Sequence, residues 1–377
     1  MRFTNVKLEN WRNFLSVDVA LQRRMFLVGP NASGKSNFLD AFRFLREVAD
    51  PEGVFQRAVR SRGGVSQLRS LHARRYPNVV IEVGAFLDDD QEWSYRIDFT
   101  QDNQRNPIIK RETIKNRSHL VLNRPDDSDK ADPSRLTQTH LEQVNANKAF
   151  RQLQDALSKV QYLHIVPQLV REPERSVGLK RDPYGGDFLE QLASTPKRTL
   201  DSRLTRIRDA LKVAVPQLAE LELKRDVRGV PHLRGLYTHW RKDAGWQTED
   251  QFSDGTLRLL GLLWVLLDGN QPLLLEEPEL SLHPEVVRYI PTMMAKLSRK
   301  SGRQIIVSTH SQDLLSDTGI SSDEILMLQP TPEDTKITEA SEDEQVQALL
   351  IGGLSAADAV LPRTAPTEAS QLSRFGD

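Results

Sequence analysis

The chain opens with a strand-like alternation: Phe3, Val6 and Leu8 stand against polar neighbours over residues 2–8. "SVDVAL" and "RMFLV" predict two more short strands. From Asn37 the period changes, and Phe38, Leu39, Phe42 and Leu45 have helical spacing. Residues 79–87 and 93–99 predict a hairpin around the acidic turn "DDDQ". Residues 101–150 are polar and weakly periodic, so surface loop and helix are expected there. Helices follow in "DFLEQLAS" and "LDSRLTRIRDALKVAVPQL", then strands in "AELELKRDV" and "HLRGLYTHW". A long apolar helix is predicted from about 255 to 267. "PLLLEE" and "QIIVSTH" are short continuous apolar runs of the kind buried in a parallel sheet. Beyond them comes an acidic stretch, "PEDTKITEASEDEQ", and a Pro/Ser/Thr-rich end, expected to be mobile.

The 377 residues allow two domains, or one large α/β domain with an insertion. The net charge of −1 means that nucleic-acid binding would need a local basic patch. There is no cysteine, which excludes a disulfide framework, a thiol nucleophile and a Cys-built zinc site. The longest apolar run, "LLGLLWVLL" at 259–267, falls short of the about 20 residues that span a bilayer. The N-terminus carries no apolar signal core. A cytoplasmic protein without a membrane span is expected; docking on a membrane partner stays compatible with that.

Gly29-Pro30-Asn31-Ala32-Ser33-Gly34-Lys35-Ser36 fits G-x-x-x-x-G-K-[ST] at every fixed position, between an apolar strand and an amphipathic helix. Glycines let backbone N–H groups turn inward around a phosphate, and the helix brings its positive end to the same point. Lys35 supplies a point charge for the β and γ phosphates, and Ser36 a hydroxyl for Mg²⁺. Gly29, Asn31, Ser33, Gly34, Lys35, Ser36 and Asn37 are the expected contacts to a nucleoside triphosphate.

Three further pieces follow in order. "FSDGTLR" places Ser253, Asp254 and Gly255 at a helix start; alone this is an N-cap, yet it also suits a second phosphate clamp. "PLLLEEPELSLHPE" ends a buried strand in two carboxylates, Glu276 for the metal side and Glu277 to orient or deprotonate a water. "IIVSTHS" ends the next strand at His310, in reach of a γ-phosphate.

With "LENWRNF", "GPNASGKSNFLDAFRFL", "RGG" at 62–64, "FSDGTLR", "EEPELSLHPE" and "STHS", the chain resembles the ABC-type ATPase superfamily. The match is to its soluble branch, with RecF, SMC and the OLD (overcoming lysogenization defect) proteins, and covers the chain to about residue 330. The resemblance implies an α/β P-loop NTPase with an ABC-type ATPase head on a mixed-sheet core and an insertion lobe of helices and strands. Residues 1–150 would be the N-terminal part of the core and 151–250 the lobe. Residues 251–330 would carry the signature helix, the carboxylate strand and the histidine strand, and 331–377 the mobile tail. Two heads would meet face to tail, with Ser253 and Gly255 of one copy on the γ-phosphate held by the other. Glu277 would then be the catalytic base, His310 the γ-phosphate sensor, and Ser281 to His283 the crossing loop. Arg12 and Asn13 match the N-terminal motif and would lie beside the nucleotide.

The chain departs from the pattern in places. Glu276 stands where aspartate is usual, one methylene longer, which predicts slow turnover. Asp254 and Thr256 replace the glycine and glutamine of transporter members, which favours the OLD-like branch. For the lid glutamine, Gln56 and Gln67 are the candidates. Only 67 residues follow His310, and no clustered-acid nuclease domain or long heptad arm is evident. The expected protein is an ATP-dependent homodimer or higher oligomer that controls a separate effector, such as a nuclease, in antiphage defence or DNA maintenance. A RecF-like DNA-loading factor is the alternative. Arg57, Arg60, Arg62, Arg69, Arg74 and Arg75, with Arg171, Arg175, Lys180 and Arg181, are candidates for a phosphate-tracking surface for DNA or RNA.

Overall fold

The computed structural model describes residues 1–71, 73, 77–87, 91–172, 174, 182–238, 245–366 and 369–375. Two six-stranded sheets enclose one helix. The first sheet is antiparallel, in the order β2-β1-β4-β5-β6-β7. It is built from β1 (Arg2–Trp11), β2 (Phe14–Ala20), β4 (Val79–Phe86), β5 (Glu92–Gln101), β6 (Pro107–Asn116) and β7 (His119–Arg124). The second sheet runs β15-β14-β3-β13-β12-β8. Here β3 is Arg24–Val28, β8 Gln161–Leu163, β12 Leu273–Glu276, β13 Ile305–Thr309, β14 Ile325–Pro330 and β15 Thr335–Glu339. All its pairings are parallel except β14 with β15. A three-stranded sheet, β11-β10-β9, lies in the lobe, with β9 Leu218–Arg225, β10 Pro231–Tyr237 and β11 Trp246–Thr248.

The helix Lys35–Ala49 lies between the two large sheets. Its Phe38, Phe42 and Leu45 share one core with Phe3, Val6 and Ile81 on one side and Met25, Leu27 and Ile306 on the other. Because side chains alternate along a strand, Phe26 and Val28 of the same β3 face away. They pack with Ile290 and Met294 of the helix Ile290–Ser301. The helix Asp254–Leu267 is apolar nearly all round because it is buried on two sides. Leu262 and Leu266 enter the sheet core, while Leu257, Leu260 and Trp264 enter the lobe core with Phe188, Leu204 and Leu211.

Three sequence expectations change. Residues 101–150 contain two strands, β6 and β7, in addition to short helical turns. The apolar signal failed there because a core position of β6 is Glu112, fully buried. Its carboxylate is matched by Arg124 at 2.9 Å, the His140 N–H at 2.8 Å and the Tyr95 hydroxyl at 3.2 Å. Secondly, the lobe does not begin at 151. The helix Arg151–Ser158 and β8 belong to the sheet core, with Leu153, Leu157 and Tyr162 buried there. Thirdly, residues beyond 331 are not a free tail. β15 closes the parallel sheet, and the helices Glu344–Ile351 and Ala356–Thr364 bury Val346, Ala356 and Val360 against Phe26 and Ile325. The expected hairpin of β4 and β5 is present, and its acidic turn lies outside the described residues.

Candidate functional site

The site forms at the C-terminal ends of β3, β12 and β13, three adjacent parallel strands. β3 runs into the loop 29–34, and the helix begins at Lys35. Gly34 has φ 93°, a left-handed backbone that an L side chain resists, and a Cβ there would lie 2.2 Å from Nδ2 of Asn13. Ala32 is also left-handed, and Asn31 and Ser36 are exposed at the rim.

Lys35 folds back on its own loop, donating to the carbonyls of Gly29 at 2.9 Å and Pro30 at 3.0 Å. Burial lowers its amine from the usual lysine range, and Glu277, Glu279 and Glu276 oppose that. Ser33 Oγ is buried without a hydrogen-bond partner. A buried ammonium hydrogen-bonded to two carbonyls, an orphaned hydroxyl and a glycine cradle suit an incoming phosphate oxygen.

Arg12 and Asn13 reach this loop from the turn between β1 and β2. Asn13 Nδ2 donates to Ser33 O at 3.1 Å and Thr335 Oγ1 at 2.7 Å, and its Oδ1 accepts from Asn37 at 2.7 Å. Arg12 is left-handed (φ 56°) and lies 3.4 Å from Asp40. Asp40 also meets Arg43 at 2.6 Å and Arg62 at 2.8 Å. Burial alone would raise this carboxyl; Arg62, Arg43 and Arg12 outweigh it and hold it below its usual value. Arg62 is therefore a structural residue, buried with Asp40 and paired with the partly exposed Glu47, and cannot belong to an exposed basic patch. Arg57 and Arg69 are exposed or half-exposed, whereas Arg74, Arg75, Arg175, Lys180 and Arg181 lie outside the described residues.

The two carboxylates diverge at the tip of β12. Ser36 Oγ donates to Glu276 Oε1, and Tyr162 on β8 donates to Oε2 of the same carboxylate. Burial first, and then Glu276, push the Tyr162 phenol upward, so it remains the donor. Ser36 and Glu276 are hard oxygen donors of the kind Mg²⁺ accepts. Glu277 has left the strand: its φ is 43°, its N–H is tied to Ser308 O at 3.0 Å, and its Oε1 lies 3.0 Å from His310 Nδ1. The same oxygen is 3.9 Å from Lys35 Nζ. A left-handed non-glycine residue is uncommon and concentrates at functional turns. Here it aims Glu277 across the loop while Glu276 stays in sheet register with Ser308.

Ser253 and Gly255 stand apart from this cluster. Ser253 is exposed and caps its helix, its Oγ accepting from Thr256 N at 3.2 Å. A Cβ on Gly255 would lie 2.5 Å from the Ser281 carbonyl, so the helix start packs on the segment after the carboxylates. Among the described residues neither hydrogen-bonds to the phosphate loop of its own chain. Of the candidate lid glutamines, Gln56 Nε2 is committed to the carbonyls of Pro107 and Thr137, and the Gln67 stem lies beside Gly63.

Sequence reasoning missed four neighbours. Thr335 braces Asn13 from what was expected to be a tail. Tyr162 and His164, the latter 3.2 Å from the Glu276 carbonyl, come from the edge strand β8 and the residue after it. Glu279 is buried, accepts from Thr309 Oγ1, and its carboxyl is raised by burial. No local pattern marks Thr335, Tyr162 and His164, which strand pairing brings to the site, whereas Glu279 lies within the carboxylate motif itself.

Residues 24–317 match the family model described as "AAA domain, putative AbiEii toxin, Type IV TA system". Endonuclease GajA of Bacillus cereus (strain VD045) is 44% identical over 45 residues, 12% of this chain and 8% of GajA. The uncharacterized ABC transporter ATP-binding protein YhcH of Bacillus subtilis (strain 168) is 38% identical over 78 residues, 21% of this chain and 25% of YhcH. The chain thus spans a quarter or less of either relative. An SMC head bound to the C-winged helix domain of ScpA superposes with a TM-score of 0.55 at 13% identity, covering 90% of this chain and 97% of that one. An SMC head from Pyrococcus furiosus, bound to the C-terminal domain of ScpA, gives 0.52 at 12% identity, covering 89% and 96%. These likenesses establish the fold. Among the described residues no helix is long and apolar enough to cross a membrane. With a family model matched over most of its length and an SMC-head fold, this chain belongs to that AAA-domain family.

Proposed function

We propose that this protein is an ATPase working as a nucleotide-driven switch that dimerises head to tail and controls a separate effector. Lys35 and the loop amides bind the triphosphate, Ser36 and Glu276 hold Mg²⁺, and Glu277, oriented by His310, takes the proton of the attacking water. Mg²⁺ supplies charge neutralisation on the phosphates when bound. The observation that carries the reading is the separation of the site. Glu277, His310 and Lys35 meet within one chain, whereas Ser253 is exposed and Gly255 is spent on its own chain's Ser281. A ligand clamped between the two faces favours the dimer by linkage.

Antiphage defence or DNA maintenance is the biological setting we infer, in the cytoplasm. The short match to a protein named as an endonuclease supports a nuclease as the effector, encoded separately. The SMC heads are described as bound to ScpA domains, which supports a protein partner. The OLD-like placement rests on Asp254 and Thr256 in the signature. The alternative, a RecF-like factor that loads partners on DNA, is weakened by the loss of Arg62 from the basic surface.

The test is light scattering of the full chain with ATP and Mg²⁺, comparing Glu277→Gln with Glu277→Gln/Ser253→Arg. The first should shift to a dimer and the second remain a monomer that still binds ATP. Equal dimerisation of both would refute the face-to-tail arrangement.

A further inference from the structure

Glu276 is the one site residue whose length is at odds with its place. It sits at the end of β12 with its side chain half-exposed, and carries one more rotatable bond than an aspartate would. A loose carboxylate there would sample several rotamers, and holding one costs conformational entropy. The structure fixes it at three points. Ser36 bonds Oε1, Tyr162 bonds Oε2, and His164 Nδ1 lies 3.2 Å from the backbone carbonyl. Two of the three come from β8 or the residue that follows it, the strand paired in parallel with β12 through Gln161, Tyr162 and Leu163.

We propose that Tyr162 is a positioning residue for Glu276, its hydroxyl pinning one carboxylate oxygen so that the other stays directed at Ser36. This rests on the reading of Glu276 as the metal-side acid. Tyr162 is itself held: its ring is buried, and the Arg43 guanidinium stacks 5.4 Å from the ring centroid. Arg43 is fastened in turn to Asp40 at 2.6 Å and Glu47 at 3.6 Å, all on the phosphate-loop helix. The phenol is therefore anchored to the same helix that carries Ser36. Its chemistry also suits the task. A lysine or arginine on Oε2 would cancel the carboxylate's charge, whereas a neutral hydroxyl orients the group and leaves it anionic. The long acid and the tyrosine form a matched pair: the extra methylene brings Oε2 to the edge strand.

The experiment measures binding of a fluorescent ATP analogue to the full chain across a Mg²⁺ titration. Tyr162→Phe keeps the ring over Arg43 and removes only the hydroxyl. It should raise the Mg²⁺ midpoint about 10-fold, the size expected for loss of an outer-sphere partner, with Mg²⁺-free nucleotide affinity unchanged. In a Glu276→Asp background the same change should do nothing further, because the shorter side chain does not reach the phenol. If Glu276→Ala raises the midpoint and Tyr162→Phe does not, or if Tyr162→Phe acts equally in the Glu276→Asp background, the pinning role is overturned while the metal-side reading stands. If Glu276→Ala leaves the midpoint unmoved, that reading fails and the pinning role falls with it.

Discussion

His310 Nδ1 lies 3.0 Å from Glu277 Oε1, and Lys35 Nζ lies 3.9 Å from the same oxygen. One carboxylate thus meets the residue that follows β13 and the cation that opens the helix after β3. The arrangement separates binding from turnover. Glu277→Gln should lower kcat at least 100-fold, about 2.7 kcal/mol in the barrier, with ATP affinity retained. Lys35→Ala should instead abolish nucleotide binding. Single-turnover hydrolysis and equilibrium binding on both variants check this; a Glu277→Gln chain with normal turnover would remove the base assignment.

Asn13 joins the phosphate loop to Ser33, Asn37 and Thr335 through three side-chain hydrogen bonds. Asn13→Ala leaves the Ser33 carbonyl without this donor and loosens the loop. A loss of about 1–3 kcal/mol is expected for unsatisfying such groups. Calorimetry should show a lower Tm and a weaker ATP affinity together. If ATP affinity is unchanged, the bracing has no bearing on the loop.

Asp40 is buried among Arg62, Arg43 and Arg12 and is held below its ordinary value of 3.8. Its folded state favours the ionised form. The stability it contributes is therefore complete above that ordinary value and disappears as pH falls through the lower folded one. Asp40→Asn should cost on the order of 3 kcal/mol at neutral pH, because three guanidinium groups lose their carboxylate. Denaturant melts from pH 7 downward should show the gap between variant and wild type narrowing below about pH 4. A constant gap over that range would contradict the pairing.

Val360 is fully buried in the helix Ala356–Thr364, in one core with Phe26 and Ile325. Val360→Asp puts an unpaired charge there and should destabilise the whole head by several kcal/mol. A free tail would tolerate it. Circular dichroism melts distinguish the two, and an unchanged Tm would return residues 331–364 to the status of an appendage.

The sequence alone determined the residues of the candidate site. The phosphate loop, Glu276, Glu277 and His310 are local signals, because loop turns, strand ends and helix starts need particular residue types at fixed spacing. It also determined the strands β3, β12 and β13, whose continuous apolar runs mark burial on both faces. Tertiary structure decided what pairing brings together. Glu112 hid β6, since a buried charge breaks the apolar alternation unless Arg124 is known to lie opposite. Thr335 belongs to the site only because β15 closes the sheet beside β14, and Thr335 N donates to Asn13 O at 2.9 Å. Arg62 reads as surface charge in a basic stretch, yet Asp40 of the phosphate-loop helix draws it into the core. Tyr162 reaches Glu276 across 114 residues of chain. Local pattern records the conformation a segment prefers; partners so far apart in sequence are chosen only when the sheets close around the phosphate-loop helix.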